Sequence, residues 1–358
     1  MRTTTFNRQF ERFKLIFFKL FILGSSLILF GSNASCQIVL HDHPISFKPK
    51  EFYVADVIDE RSQHAAAVQG INFKGSTAIG IRSYLDHNLS KDQSLRPVVI
   101  SIKEVKLTET VQTDGHINGN INLYLSFGLQ KNYGIDHLID YKGKLQFRRS
   151  NTDTLVLENS IRNLLQSSLS YFNNWIDINA NTNRKLATKV KISFTDYTTA
   201  TEGDTIYYAA SRPLTWADFQ SRIKPITKYQ ALVMPGIAYE QQAEISKGTI
   251  MVQIAMKAFL PKSACWANYT GRDQYTLNHE QRHFDLVKIS SDDFKQKLLN
   301  QQLTPDNFEA LINMQYLDTL RDLHAAQTSY DNETNHGTNT AAQSRWNTRI
   351  DRLLNYNK

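Results

Sequence analysis

The sequence predicts an α+β protein: an amino-terminal α/β module with an antiparallel sheet, then a domain with a small sheet and three carboxy-terminal helices. Three observations carry this reading. Apolar runs of strand character between Val98 and Phe147 lead into one amphipathic stretch, Leu155 to Ile176. From Asp273 onward the apolar spacing is helical. Between the halves lies Thr195 to Asp204 (TDYTTATEGD), polar enough for a linker or long loop.

Within the module, Glu51 to Glu60 has strand character, and Ala78 to Leu89 places Ile79, Ile81, Leu85 and Leu89 close to a helical stripe. Strands are expected at Val98–Leu107, Gly119–Leu129 and Leu138–Phe147. The middle one alternates Ile121, Leu123, Leu125 and Phe127 on one face, as a half-buried antiparallel strand does. The stretch Leu155 to Ile176 spaces Ile161, Leu164, Leu165, Leu169 and Phe172 for an amphipathic helix. In the second half, Ser211 to Phe219 reads as a turn and short helix, with strands at Ala231–Glu240 and Thr249–Lys257. The final helices are expected around LNHEQRHFDLVKI, from Thr304 to about Ser329, and from Thr340 to Leu354. Thr304-Pro305 suits a helix start, because proline at the first position loses no needed donor. Phe308, Ile312, Leu317, Leu320 and Leu323 would line that helix's core face.

The start has the order of an export signal. Arg2, Arg8, Arg12 and Lys14 precede a mostly apolar run, Leu15 to Phe30, which is broken by Lys19 and followed by small and polar residues to Gln37. Residues 1–36 are therefore expected to be a signal peptide, residues 37–195 the α/β module, and residues 205–358 the second domain. Cleavage after Cys36 would leave Gln37 first; alternatively Cys36 carries a lipid anchor. Asn33, three before it, fits plain secretion better. The mature chain would be extracytoplasmic, with no stable membrane insertion. The net charge of +7 belongs largely to the signal: residues 1–36 hold five Lys/Arg and one Glu, so 36 basic and 33 acidic residues remain. That balance leaves no nucleic-acid footprint. Beyond the signal only Cys265 remains, so the core holds the fold without an internal disulfide.

The chemistry gathers in Leu277 to Asp285, LNHEQRHFD. In a helix, His279 and His283 stand one turn apart and can present two imidazoles to one ion. Glu280 lies one step around, where it reaches a water on that ion without ligating it. Zinc lowers the pKa of its water towards about 7, and the carboxylate takes the proton. A chance HExxH in this composition has a probability of roughly one per cent, so the pattern outweighs two surface histidines on a solvated helix. A catalytic zinc needs a third protein ligand. Tyr330 to Gly337 (YDNETNHG) supplies Asp331, Glu333 and His336 between two expected helices. His336, followed by Gly337, suits a tight loop and is the expected third ligand, with Glu333 the alternative. Asp285 points away from the histidine pair, and His324 falls beside Leu320 and Leu323 as an ordinary helix histidine. His41 and His43 fall in a terminal segment without a ligand cluster. Tyr330 is a candidate donor to a developing oxyanion.

RPLTWADF, LNHEQRHFD and YDNETNHG, with Gln343 and Trp346 behind them, together resemble a bacterial family of predicted secreted zinc-dependent proteases of unknown function. The resemblance spans roughly Ser211 to Leu354 and leaves the amino-terminal module unassigned. It implies zinc on His279, His283 and His336 with Glu280 as base, but no substrate; a zincin-like domain acting on a peptide or protein of unknown identity is the expectation that the HExxH pattern itself carries. The competing expectation is a non-catalytic cell-envelope binding or assembly protein with a structural or vestigial zinc site. Trp216 and Trp346 are expected to pack the core.

Overall fold

The computed structural model describes residues 37–61, 72–73, 75–197, 199, 201–223 and 229–356; the expected signal segment, Cys36 included, lies outside them. Two bodies are present, mixed α+β throughout. The first begins with β1 (Gln37–Ile38), β2 (Phe52–Asp59) and β3 (Asn72–Phe73), followed by helix α1 (Thr77–Asn88). Three long strands come next, β4 (Arg96–Val111), β5 (Ile117–Lys131) and β6 (Gly134–Arg149), and then α2 (Leu155–Asn179). The main sheet runs β2-β4-β5-β6, parallel between β2 and β4 and antiparallel elsewhere. Ile121, Leu123, Leu125 and Phe127 are all buried, as their alternation predicts, and the apolar stripe of α2 covers them. Phe172 of α2 stacks on Phe127 at 4.4 Å and meets Phe52 edge-on at 4.9 Å, closing the core.

The second body starts earlier than residue 205. Strand β7 (Lys189–Asp196) pairs in parallel with β12 (Thr249–Pro261), so the module ends near Leu186 rather than at 195. Two short strands, β8 (Thr201–Glu202) and β9 (Thr205–Tyr207), occupy the polar stretch expected to be a linker. After β10 (Ala231–Leu232), β11 (Gly236–Ser246) pairs antiparallel with the whole of β12. β13 (Trp266–Ala267) pairs only with β10 among the described strands. Every second residue of β12 from Ile250 to Leu260 is buried, facing the helices.

Three helices close the body: α3 (Gln274–Leu299), α4 (Phe308–Thr334) and α5 (Thr340–Tyr356). Asp273 caps α3, accepting from the Thr276 N–H at 2.7 Å. Helix α4 departs from expectation at both ends. Thr304 and Pro305 form a turn before it, and Phe308 is its first residue. Its buried face is Phe308, Ile312, Gln315, Thr319, Leu323 and Tyr330, a helical stripe, while Leu317 and Leu320 face solvent. The helix also continues to Thr334, so most of YDNETNHG is helical rather than loop. Lys131–Asp306 (2.8 Å) and the Arg184–Glu309 ion pair join the two bodies.

Candidate metal centre

Helix α3 carries His279, Glu280 and His283, each less than a tenth exposed, to the floor of a cleft of about 610 Å³. Each imidazole is oriented from behind by a glutamine. Gln343 on α5 donates through Nε2 to the Tyr330 hydroxyl at 2.6 Å and to Asn347 Oδ1 at 2.9 Å. Its Oε1 is thereby turned to accept from His279 Nδ1 at 2.9 Å. Gln327 on α4 donates to the His283 carbonyl at 2.9 Å and accepts from His283 Nδ1. Both Nδ1 atoms therefore hold the ring protons, and both Nε2 atoms present lone pairs to the cleft.

Those lone pairs meet a third acceptor. Asp331 Oδ1 lies 3.3 Å from His279 Nε2 and 3.0 Å from His283 Nε2, and the two nitrogens are 3.3 Å apart. The same oxygen is buried without a hydrogen-bond partner. Three acceptor atoms this close repel one another unless a cation sits among them. Two ligands about 2.0–2.2 Å from a tetrahedral ion stand about 3.3–3.6 Å apart, so the triangle has nearly the size one metal ion needs.

The electrostatics agree. Burial opposes ionisation of Asp331, but its close approach to the His279 and His283 rings, with charge from His283 and His336, outweighs it and holds its carboxyl well below the usual range. Burial likewise opposes charge on His283, yet Asp331 and Glu280 raise its pKa. Burial pushes Glu280 up as well, with the two histidines pulling back and Asp331 adding to the rise. The cluster is a place where positive charge is stabilised.

His336, expected as the third ligand, stands beside the triangle. The group whose donor atoms all lie within 4.8 Å of one another is His279, His283 and Asp331. His336 Nδ1 is 3.4 Å from Asp331 Oδ1, and its ring stacks on Tyr229 at 3.6 Å. Glu333 turns to the other side of the helix and accepts from Trp346 Nε1 at 2.9 Å. The reason is the length of α4: once residues 330–334 are helical, Asp331 falls one turn beyond Gln327 on the face towards α3. Tyr330 is fully buried beneath the histidines, its ring stacked on His279 at 4.8 Å and its hydroxyl donating to the His279 carbonyl at 3.2 Å. It braces helix α3 instead of facing the cleft as an oxyanion donor. Asp285 points away, held by Gln281, Arg282 and Tyr208, and His324 is exposed. Burial pushes the Cys265 thiol up to about 12, which makes it an inert core residue.

Gly337 closes the site at a φ of 80°, and a Cβ there would come within 3.1 Å of His279 Cγ. Any side chain would therefore press on the ligand ring. Sequence reasoning missed the orienting role of both glutamines and gave Asp331 no precedence. The i, i+4 spacing of Gln327 and Asp331 was the available signal, once the helix is extended past Ser329.

No family model matches the chain, and no curated protein matches it. A solved structure similar to part of it is a minor lipoprotein from Acinetobacter baumannii, at 13% identity and a TM-score of 0.20. The match covers 35% of this chain and 94% of that one. A likeness that slight bears on neither fold nor function.

Proposed function

We propose that this chain is an exported metal-dependent hydrolase, most simply a zinc peptidase, with His279, His283 and Asp331 as metal ligands and Glu280 as general base. The observation that carries the reading is the convergence of two oriented Nε2 lone pairs and an otherwise unpartnered carboxylate oxygen on one point. The donor set fits zinc: imidazole nitrogen and carboxylate oxygen both bind it well, and three protein ligands leave room for substrate. When bound, the ion supplies Lewis acidity at the reacting carbonyl and acidifies water.

This chain's residues supply the rest. Glu280, buried beside the two histidines and lining the same cleft, accepts the proton of the attacking water. Burial raises its basicity for that task. Gln343 and Gln327 hold the imidazoles in one tautomer and one orientation. Ala231 and Leu232 line the cleft as a short strand that pairs only with β13 among the described strands, which offers a main-chain edge to which an extended peptide can add. A purely structural metal site closes all four positions and has no use for a buried carboxylate beside its ligands. Glu280 thus favours the enzyme over an envelope scaffold with a vestigial ion. Export follows from the charged, apolar and small-residue order of the first 36 residues. Among the described residues no helix is long and apolar enough to cross a membrane.

The test is Glu280→Gln. Incubated with a broad peptide library and read by mass spectrometry, the wild type should cleave, and the variant should be slower by about 10²-fold or more. Zinc content should stay near that of the wild type. Cleavage at the wild-type rate by the variant would refute the general base. A wild type that holds no zinc would refute the site itself.

A further inference from the structure

The cleft around the proposed metal centre is uncharged everywhere else. Outside His279, Glu280, His283, Asp331 and His336, the side chains that line it are aromatic, aliphatic, hydroxyl or amide. Charged residues make up 21% of the chain, and a second cavity of about 410 Å³ has Asp196, Lys288, Asp292 and Asp351 in its lining. The lack of charge is therefore particular to this cleft.

Two of its apolar side chains adjoin the reacting centre. Tyr275 stands one helical turn before His279 and two before His283, on the same face of α3. Its hydroxyl donates to the Gly337 carbonyl at 2.6 Å, so it meets a ligand with its ring. Along Gln230 to Met234 burial alternates: Ala231 and Val233 are buried, while Leu232 and Met234 are exposed. The Val233 N–H faces the Glu280 carboxyl, which sets Leu232 one residue from the general base. Leu232 is 36% exposed and Tyr275 42%, so more than a third of each is open to an occupant. A single apolar residue at a surface is ordinary, but two lining one cavity beside a buried carboxylate make a contact waiting to be filled. A charged side chain placed against them would lose water without gaining a counter-charge. The carboxylates of the cleft, Glu280 and Asp331, are already set against the histidine pair.

We propose that Leu232 and Tyr275 form a specificity subsite beside the metal, which takes a bulky uncharged side chain such as leucine, methionine or phenylalanine next to the bond that is cleaved, and which turns away acidic and basic residues there. A peptide extended along β10 lays alternate side chains on this wall, one of them against Leu232. The inference rests on the metallohydrolase reading and names the substrate class of that same site.

The experiment uses the full mature chain loaded with zinc, as wild type, Leu232→Ala and Leu232→Glu. The probes are the N-acetyl hydroxamates of leucine, aspartate and lysine, whose common head group grips zinc. Calorimetry gives their affinities, and elemental analysis gives the zinc content. The wild type should bind the leucine probe at least about tenfold more tightly than either charged one. Leu232→Ala should narrow that preference, and Leu232→Glu should turn it towards lysine by about tenfold, both with zinc content near that of the wild type. Alanine adds no charge to β10 and carries the test should the glutamate variant lose its zinc. A wild type that binds the three probes equally, or prefers a charged one, would overturn the proposal. So would a Leu232→Glu protein that keeps both its zinc and the wild-type order. Zinc-loaded wild type that binds none of the probes would overturn it as well, leaving the metal site standing. A wild type that holds no zinc would remove the metallohydrolase reading and this inference with it.

Discussion

Replacing Asp331 by alanine separates the proposed His279, His283 and Asp331 metal centre from the one the motif suggests. The position is helical, near the end of α4, so alanine preserves the backbone. What disappears is the oxygen 3.0 Å from His283 Nε2 and 3.3 Å from His279 Nε2. Structural zinc sites of four ligands bind with about 10–16 kcal/mol, so one ligand carries roughly 3–4 kcal/mol, or about 10²–10³-fold in affinity. His336 cannot step in without moving a turn that Tyr275 and Tyr229 pin. Competition against a chromophoric chelator at pH 7 measures the loss directly. An Asp331→Ala protein that binds zinc within about threefold of wild type would refute the assignment and return the third place to His336 or Glu333.

Gln343→Leu and Gln327→Leu should each weaken zinc binding by about 10–100-fold without removing a ligand, since each frees one imidazole to turn; the same chelator competition checks it. Ile312→Ala should lower stability by about 2–5 kcal/mol and Leu317→Ala by less than about 0.5 kcal/mol in urea unfolding, because Ile312 is fully buried and Leu317 is 63% exposed. Asp218 should show an acid dependence. Burial opposes its charge, but Arg212 and the Thr215 groups it accepts from hold its pKa below the ordinary value. A depressed folded-state pKa adds stability above the unfolded value near 3.8, lost as pH falls through the folded value. Wild type should thus exceed Asp218→Asn in Tm at pH 6, and the gap should narrow as the pH falls below 3.8; a gap constant with pH would refute the linkage.

The parts of the fold that the sequence discloses are those whose signal is local. Ile121, Leu123, Leu125 and Phe127 show their shared face through period-two alternation, and the stripe of α2 shows through its own spacing. Strand β7 shows a good alternation too, Val190, Ile192 and Phe194, but nothing nearby says which sheet it joins. Its partner in β12 lies some sixty residues away and in parallel, a pairing that leaves no turn signature in the chain. The domain boundary moved for that reason. Helix α4 was misread for a different one. Leu317 and Leu320 are apolar without being inward, while Gln315 and Thr319 occupy the buried face and bond to Gln301 and to the helix backbone.

The same helix decides the site. His279 and His283 are legible because one turn of helix suffices to bring them together. Asp331 is not, because Asp-Asn-Glu-Thr-Asn has no apolar period and resembles a loop, although packing on α3 and α5 keeps it helical to Thr334. Charge shows why the aspartate is the better partner. Glu280 is almost wholly buried, and Asp331 adds a second negative charge against the same two histidines. Both orienting groups behind the rings are neutral amides, so neither imidazole receives a proton from that side. The cluster is therefore short by two positive charges, and one divalent cation at the point where the lone pairs meet would neutralise it. A site in which His336 took the third place would leave the Asp331 carboxylate buried beside the ion without a bond to it, at greater electrostatic cost. Zinc held by His279, His283 and Asp331, with Glu280 beside it, balances to zero.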